Sequence, residues 1–224
     1  MGWRGRIDQH FYFFMALLVA AVVIYGFSHT IGDSLIHPAS PPPFIFYPHV
    51  LVFSCWVLWF IAQTGLIQIK RVALHRQLGW AGVVIGFCVP LLGIATAVVS
   101  QQSATSHAFF AISLNDMLLF ASSFWLAVYW RRAPQYHKRL MLIATTALTG
   151  AAFARFPEVP GIVWAYGCID LLILVGALRD LIVDGRIHIV FRYAIPAVLA
   201  AQSLAIYLAL AAPPAWIALL RIIF

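Results

Sequence analysis

Eight histidines stand in this chain, and four of them, His49, His75, His107 and His137, recur at near-regular intervals. Neutral imidazole is a common metal ligand, and two imidazoles facing each other can fill both axial positions of a haem iron. Each interval holds one membrane crossing of about 20 residues and a short turn. Successive histidines therefore fall at alternate ends of antiparallel helices, which puts His49 with His107 at one membrane face and His75 with His137 at the other. Each pair is a candidate bis-imidazole site. His49 and His107 are also the centre of a second possibility, a metal site at the same face that would draw on His29, His37 and Asp33 as well.

Helices that can hold such pairs are written into the composition. Of 224 residues, 63% are hydrophobic and 9% charged, with a mean hydropathy of +0.94. Soluble domains carry about 25% charged residues, so a water-soluble enzyme and a disordered chain are both excluded. Seven apolar runs are readable, at about 11–27, 49–69, 78–99, 107–130, 140–156, 161–183 and 193–212. They predict an all-α integral membrane bundle of seven transmembrane helices in a single domain over 1–224. His75 then precedes the third span and His137 the fifth, which is the shortest run. The first run follows Arg4 and Arg6 as a signal peptide would, but its length exceeds the ~7–15 apolar residues of such a segment, and it is read as a retained span.

The net charge of +7 would point to nucleic acid on a soluble protein. Here the basic residues cluster in alternate loops, and twelve of the fourteen fall on one face. The positive-inside rule makes that face cytoplasmic, with the N-terminus inside, the C-terminus outside, and a bacterial inner membrane as the location. Membrane lipids are the expected partners, with other membrane subunits a further class and nucleic acid excluded.

Three charges do not follow this pattern. Asp116 and Asp170 each lie about nine residues into an inward-running span, which at 1.5 Å per residue is ~13 Å deep, and Arg155 lies near the outer end of the fifth. Ionisable groups at such depth are functional candidates. They predict either an Asp–Arg lock between spans four, five and six, joined by Asn115, or a proton or substrate path. Cys55, Cys88 and Cys168 fall within spans and read as small apolar residues. Motifs of membrane di-iron enzymes and zincins are absent from the sequence, and with Lys70 and Lys138 in loops no span offers a Schiff-base lysine.

The segment His75-Arg76-Gln77-Leu78-Gly79, preceded by a helix with an early histidine and a short basic turn, resembles the core of the transmembrane di-haem cytochromes of the b-561 type. There a His-Arg-x-x-Gly segment opens a haem-binding helix, and four consecutive helices each give one axial histidine, first with third and second with fourth. The resemblance spans about residues 48–156 and implies haem b held by His49 with His107 and by His75 with His137. The His75 segment and His137-Lys138-Arg139-Leu140-Met141 also resemble stretches of uncharacterised bacterial multi-pass proteins, which imply no activity. The leading expectation is electron transfer through b-type haem. A non-catalytic accessory subunit of a larger membrane complex and a metal-dependent membrane hydrolase are the alternatives, and whether the chain is an enzyme is left open.

Overall fold

Apolar segments this long must satisfy their backbone hydrogen bonds internally once in lipid, and helix is the form that does so within a single segment. The computed structural model describes residues 3–38, 40–102 and 107–224; the side chains of Arg4 and Arg6, part of the basic N-terminal segment, lie outside the described residues. Helices dominate: α1 (Trp3–Ser28), α2 (Phe46–Gln68), α3 (Val72–Gln101), α4 (Phe110–Tyr129), α5 (Pro134–Ala147), α6 (Gly150–Phe153), α7 (Ile162–Asp184), α8 (Ile189–Ala211) and α9 (Pro214–Ile223). A π-helical turn, Gly32–Ile36, lies between α1 and α2, and no strand occurs among the described residues. Six helices, α1 to α4, α7 and α8, are long and apolar enough to cross a membrane.

The fifth apolar run differs most from its expected form. It starts earlier, at Pro134, and breaks between Ala147 and Gly150 into α5 and the one-turn α6. Its position explains both features. α5 packs against α1, α4, α7 and α8, and Leu142 to Ala147 are buried without interruption. A helix clothed by other helices has little lipid to satisfy, so it can carry Arg139, Thr145 and Thr146 and a mid-course break where a lipid-facing helix could not. The outer helices show the opposite: Leu51, Leu58 and Val84 present more than half their surface outward, as contact with acyl chains requires.

Small residues set the closest approaches. A Cβ at Gly26 on α1 would lie 2.4 Å from the Ala152 carbonyl oxygen of α6, and one at Gly86 on α3 would meet the Phe124 ring of α4 at the same distance. Trp56, Phe120 and Phe124 form the aromatic core between α2 and α4, with Trp56 edge-on to both phenylalanines at ring distances of 5.1 and 5.5 Å. At the other end of the molecule, α9 packs Trp216 and Leu220 against Ala97, Phe110 and Ala111.

A histidine pair in a basic-mouthed cavity

Helices α1 to α5 contact one another in sequence, and α5 returns to α1. This closed ring of five surrounds a cavity of about 1040 Å³, at the top of the ~300–1,000 Å³ range of small-molecule sites. Its walls are aromatic, with Tyr12 and Phe13 from α1 and Trp56, Trp59 and Phe60 from α2; its mouth carries Lys70, Arg76, Arg131, Arg132 and Lys138. Basic residues that stand in two separate connections of the sequence thus meet at one cavity. Lys138 is held by Asp8 at 3.3 Å, and the Arg131 guanidinium lies over the Trp80 ring at 5.7 Å. Lys70 ends the α2–α3 turn with a φ of 62°, a left-handed conformation that favours glycine. The chain accepts this at the cavity mouth because the Arg71 and Lys70 amides close the end of α2 on the Leu66 and Ile67 carbonyls.

His75 and His137 both line this cavity, with ring centroids 6.3 Å apart and planes inclined at 76°. Both lie about one turn inside their helices, because α3 begins at Val72 and α5 at Pro134, earlier than the apolar runs alone indicate. The His137 Nδ1 lies 2.9 Å from the Ala127 carbonyl. A carbonyl can only accept, so Nδ1 carries the proton and, in the neutral ring, Nε2 keeps its lone pair. An imidazole fixed in this way is the form that binds metals. The Nδ1 of His75 is buried without a hydrogen-bond partner among the described residues.

The other predicted pair is arranged differently. His49 packs on the Phe53 ring at 4.1 Å, while His107 stacks on Phe224 at 4.5 Å and 11°. The ring contact of His75 with His137 has no counterpart between them among the described residues. No group of three or more His, Cys, Asp or Glu side chains that could hold a metal ion occurs among the described residues, so His29, His37 and Asp33 do not complete a cluster around His49 and His107. His10 accepts a hydrogen bond from the Gln68 amide at 2.8 Å and ties α1 to α2. The cysteines are unpaired.

The intramembrane charges also separate. Tyr166 of α7 donates to the Asp116 carboxyl at 2.9 Å and Asn115 donates to the same oxygen at 3.3 Å, while the Asn115 amide also reaches the Tyr166 hydroxyl at 3.0 Å. This locks α4 to α7 through a tyrosine, where the sequence predicts an arginine. Asp170 faces Gln202 of α8. Arg155 lies past the end of α6, where its Nε donates to the Thr30 hydroxyl at 3.2 Å and its guanidinium covers the Phe27 ring at 4.4 Å. Its partners are thus Thr30, Phe27 and the Ala151 carbonyl.

The ion pairs that hold the bundle lie elsewhere. Arg139 of α5 meets Asp180 of α7 through two bonds, at 2.7 and 2.6 Å, and Asp184 at 2.9 Å. Arg179 bonds Asp180 and Asp184 at 2.7 Å each and pairs with Asp8 of α1. In the sequence, Arg139 and Arg179 count only as loop charges that mark one membrane face; the structure buries both, at 1% and 3% exposed. The sequence carried one signal of this: Arg179-Asp180 and Asp184 are opposite charges inside a span-length apolar helix, and they need partners.

No family model, curated protein or solved structure matches this chain. Fold and site together define a multi-pass helical membrane protein with a ligand-sized cavity inside a five-helix ring.

Proposed function

We propose that this protein binds b-type haem in the five-helix cavity, through His75 and His137, and transfers electrons in the membrane. The spacing of the two rings carries this reading. Imidazole nitrogen lies about 2.0–2.1 Å from a bound metal. With the ring centre about 1.1 Å further out, two imidazoles on opposite sides of one metal have centroids about 6.2–6.4 Å apart. The observed distance is 6.3 Å.

The surrounding residues fit the same group. The aromatic and aliphatic walls suit a macrocycle, and the five cations at the mouth suit its two carboxylates. The Ala127 carbonyl holds the His137 ring in the ligating tautomer. Bound haem supplies one-electron chemistry. The protein's part is to orient two imidazoles, exclude water from the aromatic end and neutralise negative charge at the open end. His49 and His107 are the sequence-based candidates for a second haem, and their separate ring partners make the His75–His137 pair the better supported site.

The same reading places seven spans in a bacterial inner membrane with the N-terminus cytoplasmic. In this reading α5 and α6 together supply the seventh crossing, their 14 and 4 helical residues joined by a two-residue turn approaching the ~20 that a crossing needs, and the gathering of loop cations along one cavity supports the orientation.

A reduced-minus-oxidised spectrum of protein purified from haem-replete cells tests the proposal. The expected result is a b-type band that disappears in His75→Ala and in His137→Ala and persists in Arg155→Gln. A colourless preparation, or a band unaffected by either histidine change, overturns it.

A further inference from the structure

The helices that carry three of the mouth arginines also present matched stripes outward. On α3, Arg76, Trp80, Val84, Phe87 and Leu91 recur at helical spacing and share one face. All five are exposed, and the four apolar side chains present half their surface or more. On α4, Leu118, Trp125 and Tyr129 form a second exposed stripe that continues into Arg132. The stripes touch at two levels: the Arg131 guanidinium lies 5.7 Å from the Trp80 ring centre, and the Phe87 and Trp125 rings are 6.3 Å apart. Residue numbers rise on α3 as they fall on α4, so the helices run antiparallel and the arginines of both gather at one end. At 1.5 Å per residue the α3 stripe is about 22 Å long, the depth of one leaflet with its headgroups, which is half of about 40–45 Å.

The occupant of such a groove follows from its charge and shape. The apolar length suits an acyl chain, and its head is cationic. Arg76, Arg131 and Arg132 form no ion pair among the described residues, where the paired cations are Lys138, Arg139 and Arg179. Lys138 has Asp8, and the two carboxylates of a haem would neutralise two of the four other cations at the mouth, so two positive charges remain. The Arg131 guanidinium bonds the Val128 carbonyl through Nη1 and lies over an indole, an arrangement in which a guanidinium still offers N–H donors to a phosphate. Trp80 and Tyr129 beside the arginines suit the headgroup level of a membrane. A soluble anion would leave the apolar length unused, and an acidic protein cannot enter the part of it that lies between acyl chains.

We propose that the α3–α4 seam binds one anionic glycerophospholipid, with its phosphate among Arg76, Arg131 and Arg132 and an acyl chain along Trp80, Phe87 and Trp125. The seam is on the outside of the five-helix ring, so this inference does not rest on what His75 and His137 hold.

The test is native mass spectrometry of the full-length protein released from vesicles of equal phosphatidylglycerol and phosphatidylcholine with matched acyl chains. One phosphatidylglycerol per chain is expected to stay bound in preference to phosphatidylcholine. Arg76→Gln and Arg131→Gln should each reduce that preference about fivefold, the effect of one cation near an anionic headgroup. Arg132→Gln reads the same loss if Arg131→Gln does not fold. Arg186→Gln, which removes a charge from the α7–α8 connection, and His75→Ala should leave the preference unchanged. Equal retention of the two lipids, a preference untouched by the changes at Arg76 and Arg131, an equal loss in Arg186→Gln, or release of the lipid by millimolar inorganic phosphate overturns the inference. A colourless protein that keeps this lipid with this variant pattern would overturn the haem reading and leave this one standing.

Discussion

Arg139 and Asp180 face each other in a two-bond ion pair, 1% and 0% exposed, although one immediately precedes the fifth apolar run and the other lies near the end of the sixth. The pair is the hub of a network that also takes in Arg179, Asp184 and Asp8, so three helices, α1, α5 and α7, are joined at one end by charge. Removing one partner of a buried pair leaves the other uncompensated, which costs about 3–5 kcal/mol. Arg139→Gln is therefore expected to lose most of the folded protein, read as monodisperse yield and as thermal midpoint in detergent. Asp180→Asn added to Arg139→Gln should recover part of the loss, because it restores the charge balance of the network while Arg179 keeps Asp184 and Asp8 as partners. A single variant as stable as the wild type would show the network to be dispensable.

The glycines make a graded prediction. Gly26→Ala puts a methyl 2.4 Å from a backbone carbonyl that cannot turn aside, and overpacking of this kind costs about 1–3 kcal/mol. Gly79→Ala on α3 meets no atom within 4 Å, and alanine is the better helix former by up to about 1 kcal/mol. The first should lower the thermal midpoint and the second hold or raise it. Equal effects would mean that α1 and α6 do not approach as closely as described.

Tyr166 and Asp116 offer a test of the α4–α7 contact. Tyr166→Phe removes the hydroxyl that reaches the carboxyl at 2.9 Å. Hydrogen bonds between membrane helices average about 0.6 kcal/mol and reach about 1.7, so the expected loss lies in that range, measured as a shift in reversible unfolding. Asn115→Ala in the Tyr166→Phe background should add less than it does alone, since the two side chains share one oxygen.

His188 lies between α7 and α8 and caps α8, its Nδ1 accepting from the Val190 amide at 3.2 Å. Burial, with the neighbouring Arg139, holds this imidazole below its ordinary value near 6.5. The folded state thus binds fewer protons at this site than the unfolded state as the pH falls past about 6.5. The stability this group contributes is present above that pH and lost on acidification. His188→Ser keeps a capping oxygen without the titration, so its thermal midpoint should fall less than that of the wild type between pH 7.5 and pH 5.5 (about the span over which histidine titrates). Parallel curves would remove His188 from the pH response.

Much of this organisation is legible in the sequence because lipid imposes a simple rule. A helix facing acyl chains must be apolar along its length, so α2, α3, α4, α7 and α8 lie within a few residues of the predicted runs. Clustered loop cations read out which ends lie together, and the near-regular histidine intervals identify His75 and His137 as neighbours before any coordinates. The fifth run carried the weakest signal because α5 is wrapped by other helices, where hydropathy no longer reports on the surroundings. Only the tertiary structure decided which of the two histidine pairs meets, that Arg139 and Arg179 are internal ties and not surface markers, and that Asp116 answers to Tyr166 while Arg155 turns away. Those choices depend on the rotation of each helix about its axis and on the distance between axes. Both are set by close packing at residues such as Gly26 and Gly86, contacts between segments far apart in the chain that spacing along the sequence does not encode.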